Sequence, residues 1–297
     1  MRADGPDVAG RRISAAGRLH GVAGAAGGHP WRRYVALGDS FTEGVGDPVP
    51  GSPGVMRGWA DRVAEELAAG QEDFAYANLA VRGLLLEQIL SRQVGPALAL
   101  EPDLVSLSAG GNDMVFHGSD PDKLAGKLET GVAVLAQTGA TVVLFTGPEW
   151  ASTPVLGRNR AKVAIFNEDV RAIAYRHHAV VADLWAIRQL ADRRMWDPDR
   201  LHLSPLGHHT VAAMVLDTLN VAHSLQPMEP KDLPEGSWRQ ARTEDLRWAK
   251  DYLLPWALRQ IRPHAREEVA RRAKRPEAVQ VLPVTGGLDR SPAVAEG

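Results

Sequence analysis

Residues of the types that cooperate in nucleophilic catalysis lie at widely separated points of the sequence. Ser40 is in GDSFTEG, Asn112 is in GGND, and Asp199 and His202 are in DRLH. A serine hydroxyl is a weak nucleophile until a base removes its proton, and histidine has a pKa suited to that role near neutral pH. An aspartate three residues before the histidine can hold the imidazole in one tautomer and stabilise its charge. These residue types indicate nucleophilic acyl transfer.

Acyl transfer also needs hydrogen-bond donors for the negative charge that develops on the carbonyl oxygen. The side-chain amide of Asn112 and backbone N–H groups can supply them. Gly83 follows NLAVR, and a glycine there lets the backbone approach a substrate that a Cβ would block. The sequence therefore predicts that Asn112 and Gly83 lie close to Ser40.

The elements that would position these residues are short apolar runs separated by helical patterns. Five runs, each bounded by Gly, Pro, Asp or Asn, predict buried strands at residues 34–37, 74–79, 104–107, 141–145 and 180–184. Strands that alternate with helices predict a parallel sheet covered on both faces, and ligands bind at the carboxyl ends of such strands. Glu149 and Trp150 follow the fourth strand and are weaker candidates for the wall of a substrate pocket.

The four motifs, in this order, resemble blocks I, II, III and V of the SGNH, or GDSL-type, serine hydrolases. The resemblance covers residues 33 to about 220. It implies an α/β fold of the flavodoxin-like kind, with three layers α/β/α and a five-stranded parallel sheet of order 2-1-3-4-5. It also implies an acyl-enzyme mechanism on a small-molecule ester, with no metal and no cofactor.

The same resemblance implies a role for each motif residue. Ser40 would be the nucleophile, His202 the general base and Asp199 the acid that orients it. The N–H of Ser40, the N–H of Gly83 and the amide of Asn112 would form the oxyanion hole. A carbohydrate O-deacetylase or a thioesterase would use the same residues, so these activities stay open beside carboxylester hydrolysis.

Each motif also has a plain structural interpretation. Ser40 could cap a helix, and Asn112 could belong to a turn. His202, His208 and His209 invite a zinc interpretation, but the chain has no cysteine and no HExxH motif. Two alternatives are not enzymes. One is a non-catalytic binding module on the same scaffold, and the other is a protein that docks on a membrane or a partner through a C-terminal helix.

Composition excludes some function classes. The formal net charge of -2 gives no reason to expect a nucleic-acid partner. The sequence contains no run of 18 apolar residues, so no membrane-spanning helix is expected. The N-terminus lacks the apolar core of a secretory signal, so a cytoplasmic location is expected. The oligomeric state is left open.

The chain divides into four predicted segments. Residues 1–30 are expected to be a flexible leader and residues 31–222 the hydrolase domain. Residues 223–264 contain a Pro-rich linker and then a helical pattern with Trp and Leu, which we expect to pack on the domain rather than on a membrane surface. Residues 265–297 are charged and then rich in Pro and Gly, and are expected to be disordered.

Overall fold

One mixed sheet with helices on both faces forms the centre of the molecule. The computed structural model describes residues 28–115, 118–149, 156–228 and 273–281. The parallel strands are β1 (Arg33–Leu37), β2 (Ala75–Asn78), β3 (Leu104–Leu107), β4 (Thr141–Phe145) and β5 (Val180–Ala182). Across the sheet β2 is followed by β1, β3, β4 and β5, so the predicted order 2-1-3-4-5 is confirmed.

A sixth strand, β6 (Arg275–Gln280), pairs antiparallel with β2 at the edge of the sheet. The prediction of a sheet with five parallel strands is therefore wrong in this respect. So is the prediction of disorder for this part of residues 265–297. The sequence RPEAVQ was missed because an edge strand exposed to solvent needs few apolar residues, and an apolar run was the criterion for a strand.

The helices connect the strands by crossovers. They are α1 (Ser40–Glu43), α2 (Gly58–Ala68), α3 (Leu86–Ala99), α4 (Gly111–Met114), α5 (Pro121–Ala136), α6 (Arg160–His177) and α7 (Pro205–Thr218). Short 3-10 turns lie between β5 and α7, at Leu184–Ala186, Arg188–Ala191 and Arg193–Met195. None of the helices in the described part of the chain is long and apolar enough to span a bilayer.

Alternation along β1 divides the apolar core into two parts. Tyr34 and Ala36 pack with the apolar residues of α2 and α7, whereas Val35 and Leu37 pack with those of α3, α5 and α6. Successive strand residues point to opposite faces, so both faces of a parallel sheet must be covered. This arrangement directs the loops after the strands to one edge, where the predicted site residues lie.

Two predicted segments fall outside the residues that the structure describes. The leader predicted for residues 1–30 is described only from residue 28. The helix predicted within residues 223–264 lies beyond residue 228, where the description stops before resuming at residue 273. The division into domains stays a prediction.

Candidate active site

Ser40 is the first residue of α1, which begins two residues after β1 ends. Asp39 is the N-cap of this helix, because its carboxylate accepts a hydrogen bond from the backbone N–H of Phe41 at 3.1 Å. The capping role considered for Ser40 is therefore taken by its neighbour. The side chain of Ser40 is left at the wall of a cavity.

The cavity brings together three of the predicted residues. Ser40, Asn112 and His202 line a space of about 120 Å³ at the carboxyl ends of the strands. The described residues contain no hydrogen bond between the Ser40 hydroxyl and His202, and in unliganded enzymes such contacts are often long until substrate binds. Much of the remaining wall is apolar, including Phe41, Met114, Phe145, Val163, Phe166, Leu190 and Trp196.

His202 is held by Asp199 within one tight loop. The carboxylate of Asp199 bonds to Nδ1 of His202 and also accepts the backbone N–H of His202 at 2.9 Å. Burial alone would raise the pKa of Asp199, but its hydrogen bonds and attraction to His202 outweigh burial and hold that pKa below its usual value. Because Nδ1 donates to a carboxylate, Nε2 is the nitrogen that can accept a proton.

Backbone contacts set the shape of the loop that carries this pair. The N–H of Asp197 donates to the carbonyl of His202 at 2.8 Å, and the N–H of Arg200 donates to the carbonyl of Asp197 at 2.8 Å. Ser204, just past the loop, caps α7. The loop is therefore closed on itself and anchored to a long helix.

Asn112 connects three loops of the site. It lies in α4, and its amide nitrogen donates to the carboxylate of Asp39 at 3.0 Å and to the carbonyl of Leu84 at 2.9 Å. Both amide hydrogens therefore have acceptors within the chain. Asp39 lines the cavity, whereas Leu84 does not, so the bond to Asp39 is the one that a substrate oxygen could replace.

Asp39 is an unusual carboxyl group in this setting. Burial raises the pKa of Asp39 to about 6, although the hydrogen bond from Phe41 and the charge of His202 oppose the shift. Its hydrogen bonds with Phe41 and Asn112 fix the loop after β1. Asp113 likewise holds backbone, since it accepts the N–H of Leu86 at 2.9 Å.

Gly83 lies in the turn after β2 and is not part of the cavity wall. Its φ of +82° is the left-handed region that favours glycine. A Cβ at this position would meet no heavy atom within 4 Å, so the backbone angle, and not crowding inside the chain, accounts for the glycine. Asn112 binds the adjacent Leu84 carbonyl, which places this turn beside the site.

Of the two weaker pocket candidates, the structure describes only Glu149, and Glu149 does not line the cavity. Glu149 accepts hydrogen bonds from Arg160 at 2.8 and 2.6 Å, while the preceding Gly147 and Pro148 line the cavity instead. Trp150 lies outside the described residues. Sequence reasoning missed most of the apolar wall. Phe41 could have been predicted to line the cavity, because it directly follows Ser40 in GDSFTEG.

The other two histidines considered for zinc, His208 and His209, have structural partners. Nδ1 of His208 accepts the N–H of Trp59 at 3.2 Å, and Nε2 donates to the carbonyl of Val45 at 3.1 Å. Burial lowers the pKa of His208 to about 4, so the ring is neutral. His209 bonds to the carbonyl of Gln226 at 2.7 Å. Across the described ranges, no group of three or more His, Cys, Asp or Glu residues could hold a metal ion.

Comparisons with known proteins agree on a family. The model of the GDSL-like lipase/acylhydrolase family matches residues 36–210. No curated protein matches the chain significantly.

Solved structures share the fold at low identity. The lipase/acylhydrolase from Enterococcus faecalis is 24% identical with a TM-score of 0.53, covering 67% of this chain and 99% of its own. The psychrotrophic esterase EstA from Pseudoalteromonas sp. is 17% identical with a TM-score of 0.52, covering 64% and 97%. The acetylxylan esterase Axe2 from Geobacillus stearothermophilus, as a catalytic mutant, is 20% identical with a TM-score of 0.52, covering 64% and 95%.

Proposed function

The chain belongs to the GDSL-like lipase/acylhydrolase family and is a hydrolase that acts on ester bonds; from this we infer that it is a serine carboxylesterase working through an acyl-enzyme on Ser40. One observation carries the inference. His202, which is hydrogen-bonded to Asp199, lines one cavity together with Ser40 and Asn112. A base, a nucleophile and an amide donor around one space are the parts that acyl transfer requires.

The reaction follows from these positions. The Ser40 oxygen attacks the ester carbonyl carbon while its proton passes to Nε2 of His202. The tetrahedral intermediate collapses, the bond to the alcohol oxygen breaks, and the alcohol leaves with the proton from His202. A water molecule then gives a proton to His202 and attacks the acyl-enzyme, which releases the acid and restores the Ser40 hydroxyl. Asp199 keeps the imidazole oriented and stabilises its charge in both halves.

The oxyanion of each tetrahedral intermediate needs donors that are already in place. We assign this role to the N–H of Ser40, the N–H of Gly83 and the amide of Asn112. Because Asn112 already donates to Asp39 and to Leu84, binding of the substrate oxygen exchanges the bond to Asp39. Asp39 thus acts as a stand-in acceptor that keeps the amide aimed at the cavity when no substrate is present.

The cavity points to a class of ester. A space of about 120 Å³ is comparable to an apolar cavity of about 150 Å³ that binds a single benzene ring, and most of its wall is apolar. This favours a short apolar acyl group over a long fatty acyl chain. Acetylated sugars and short thioesters contain the same small acyl group, so they belong in the substrate test as rivals to simple carboxylesters.

The decisive experiment replaces the nucleophile. Ser40→Ala should reduce hydrolysis of p-nitrophenyl acetate and butyrate to background and abolish labelling by a fluorophosphonate probe. The melting temperature should stay close to that of the wild type, because Asp39 rather than Ser40 caps α1. Ser91→Ala is the matched control, since Ser91 is an exposed serine on α3 whose hydroxyl donates to Gln88 at 3.3 Å. Full activity in Ser40→Ala would end the assignment.

A further inference from the structure

Two backbone segments cross in close contact behind the proposed nucleophile. Gly44 is the C-cap of α1, with a φ of +91°, and Gly58 is the first residue of α2, with a φ of +77°. A Cβ on Gly44 would lie 2.6 Å from the Cα of Gly58, so neither position has room for a side chain. The position of α1 therefore depends on how tightly this crossing is held.

Lys274, which lies in the C-terminal segment, binds both of the segments that meet at Gly44 and Gly58. Its ammonium group donates to the carbonyl of Glu43 at 2.7 Å, to the carbonyl of Arg57 at 2.8 Å and to the carboxylate of Asp61. Glu43 and Arg57 are the residues immediately before the two crossing glycines. An ammonium group has three donors, and all three are used here.

The ammonium site is largely dry, which makes these contacts costly to lose. The side chain of Lys274 is only 14% exposed and that of Asp61 only 11%. Burial raises the pKa of Asp61 to about 6 although Lys274 opposes the shift, and burial lowers the pKa of Lys274 although Asp61 opposes it. A buried charged pair of this kind fixes geometry because breaking it leaves an uncompensated charge.

Glu43 carries the connection to the proposed oxyanion hole. One carboxylate oxygen accepts the backbone N–H of Arg82 at 2.7 Å, and the other accepts the guanidinium Nε of Arg82 at 2.8 Å. Arg82 directly precedes Gly83. Because Glu43 ends the four-residue helix that Ser40 begins, its side chain ties the nucleophile helix to the turn that presents the N–H of Gly83.

We propose that Lys274 is a positioning residue for acyl transfer: it anchors Glu43, and through Glu43 the peptide between Arg82 and Gly83. The inference rests on the proposed function, because it concerns the same oxyanion hole. Lys274 lies beyond residues 36–210, so the proposal extends the working enzyme past the segment matched by the family model. The donors of an oxyanion hole act through prior alignment, and a small displacement reduces the rate while leaving substrate binding nearly intact.

The test compares two variants at opposite ends of the C-terminal strand. Lys274→Met keeps most of the side-chain volume and removes the donors; we expect kcat for p-nitrophenyl acetate to fall about ten- to a hundredfold, with KM within about threefold of the wild type. Gln280→Ala is the matched control, because the Gln280 amide anchors the other end of β6 to the carbonyl of Glu72. It should keep wild-type kcat. Equal loss in both variants, or kcat within twofold of wild type in Lys274→Met, would overturn the proposal.

A second pair of variants covers the case in which Lys274→Met does not fold. Glu43→Gln keeps the size of the side chain but weakens its hold on Arg82, and we expect a similar drop in kcat. If both single variants fold, the double variant should lose less than the product of the two effects, because they act through one chain of contacts. Unchanged kcat in Glu43→Gln, or full additivity, counts against the proposal. Wild-type activity and fluorophosphonate labelling test the proposed function separately.

Discussion

The side-chain amide of Asn112 donates a hydrogen bond to the carboxylate of Asp39 at 3.0 Å, and this contact joins the loop after β1 to the loop after β3. The amide also donates a hydrogen bond to the carbonyl of Leu84, in the turn after β2. One side chain therefore connects three loops, with partners 73 and 28 positions away in the sequence. The proposed oxyanion hole is built around it.

Asn112→Ala removes the only side-chain donor assigned to the oxyanion. We expect kcat to fall about 10²- to 10³-fold with little change in KM, because the missing bond is strongest in the transition state. Steady-state kinetics with p-nitrophenyl butyrate measure this. Asp113→Asn is the neighbouring control: Asp113 holds the N–H of Leu86, so the variant should lose stability more than rate. A kcat within threefold of the wild type in Asn112→Ala would remove Asn112 from the oxyanion hole.

The raised pKa of Asp39 predicts a pH dependence of stability. Its pKa is about 6 when folded and about 4 when unfolded, so the native state holds the extra proton between these values. The contribution of Asp39 to stability is therefore complete below about pH 4 and is lost as the pH rises through about 6.

Asp39→Asn isolates this effect, because asparagine caps helices as well as aspartate does and does not titrate. The free energy of unfolding of the wild type relative to the variant should fall by roughly 2 kcal/mol between pH 4 and pH 7. Urea unfolding at several pH values measures it. Asp61, whose pKa is also raised to about 6, is present in both proteins and cancels in the comparison. A difference that is constant with pH would contradict the assignment.

The fold was largely readable from sequence because its parallel strands are buried on both faces. Such strands must be short apolar runs, and these runs located all five, whereas their order across the sheet was implied by the resemblance to the SGNH hydrolases. β6 was not readable, because Arg275 and Gln280 belong to an exposed edge strand whose pairing with β2 depends on distant backbone. Local patterns do not encode that pairing.

The polar residues of the site were easier to predict than its walls. Ser40, Asn112 and His202 lie in short motifs beside strand ends, and the structure places all three around one cavity. Phe166 and Trp196 line that cavity too, but an apolar residue that faces a cavity has the same sequence pattern as one that faces the core. Lys274 carried no local signal, since its partners are all more than 200 positions away.

Two neighbouring aspartates offer a matched test of the proposed triad. Asp199→Asn replaces the carboxylate that bonds to Nδ1 of His202, so we expect kcat to fall by up to about 10⁴-fold. Asp197 lies two residues earlier, and its carboxylate accepts the backbone N–H of Asp199 instead of bonding to Nδ1 of His202. Asparagine keeps an acceptor oxygen at that place, so kcat of Asp197→Asn should stay within a fewfold of the wild type. Comparable losses in both variants, measured with the same ester, would show that the loop is merely sensitive to charge.

Two valines on α6 allow the effect of enlarging the cavity to be distinguished from the effect of loosening the core. Val163 lines the cavity, whereas Val170 is fully buried on the same helix away from it. Val163→Ala should enlarge the cavity and raise kcat/KM for p-nitrophenyl hexanoate relative to acetate by about tenfold, since each added methylene in an apolar pocket has an effect of that order.

Both valine variants delete buried methyl groups. Each should therefore lower the free energy of unfolding by about 1 to 3 kcal/mol. Val170→Ala should leave the ratio of hexanoate to acetate hydrolysis unchanged, because the space it creates does not join the cavity. Kinetics with esters of two to eight acyl carbons, together with thermal unfolding of both variants, provide the comparison. If the two valine variants change chain-length preference equally, the acyl group binds elsewhere and loosened packing explains the change.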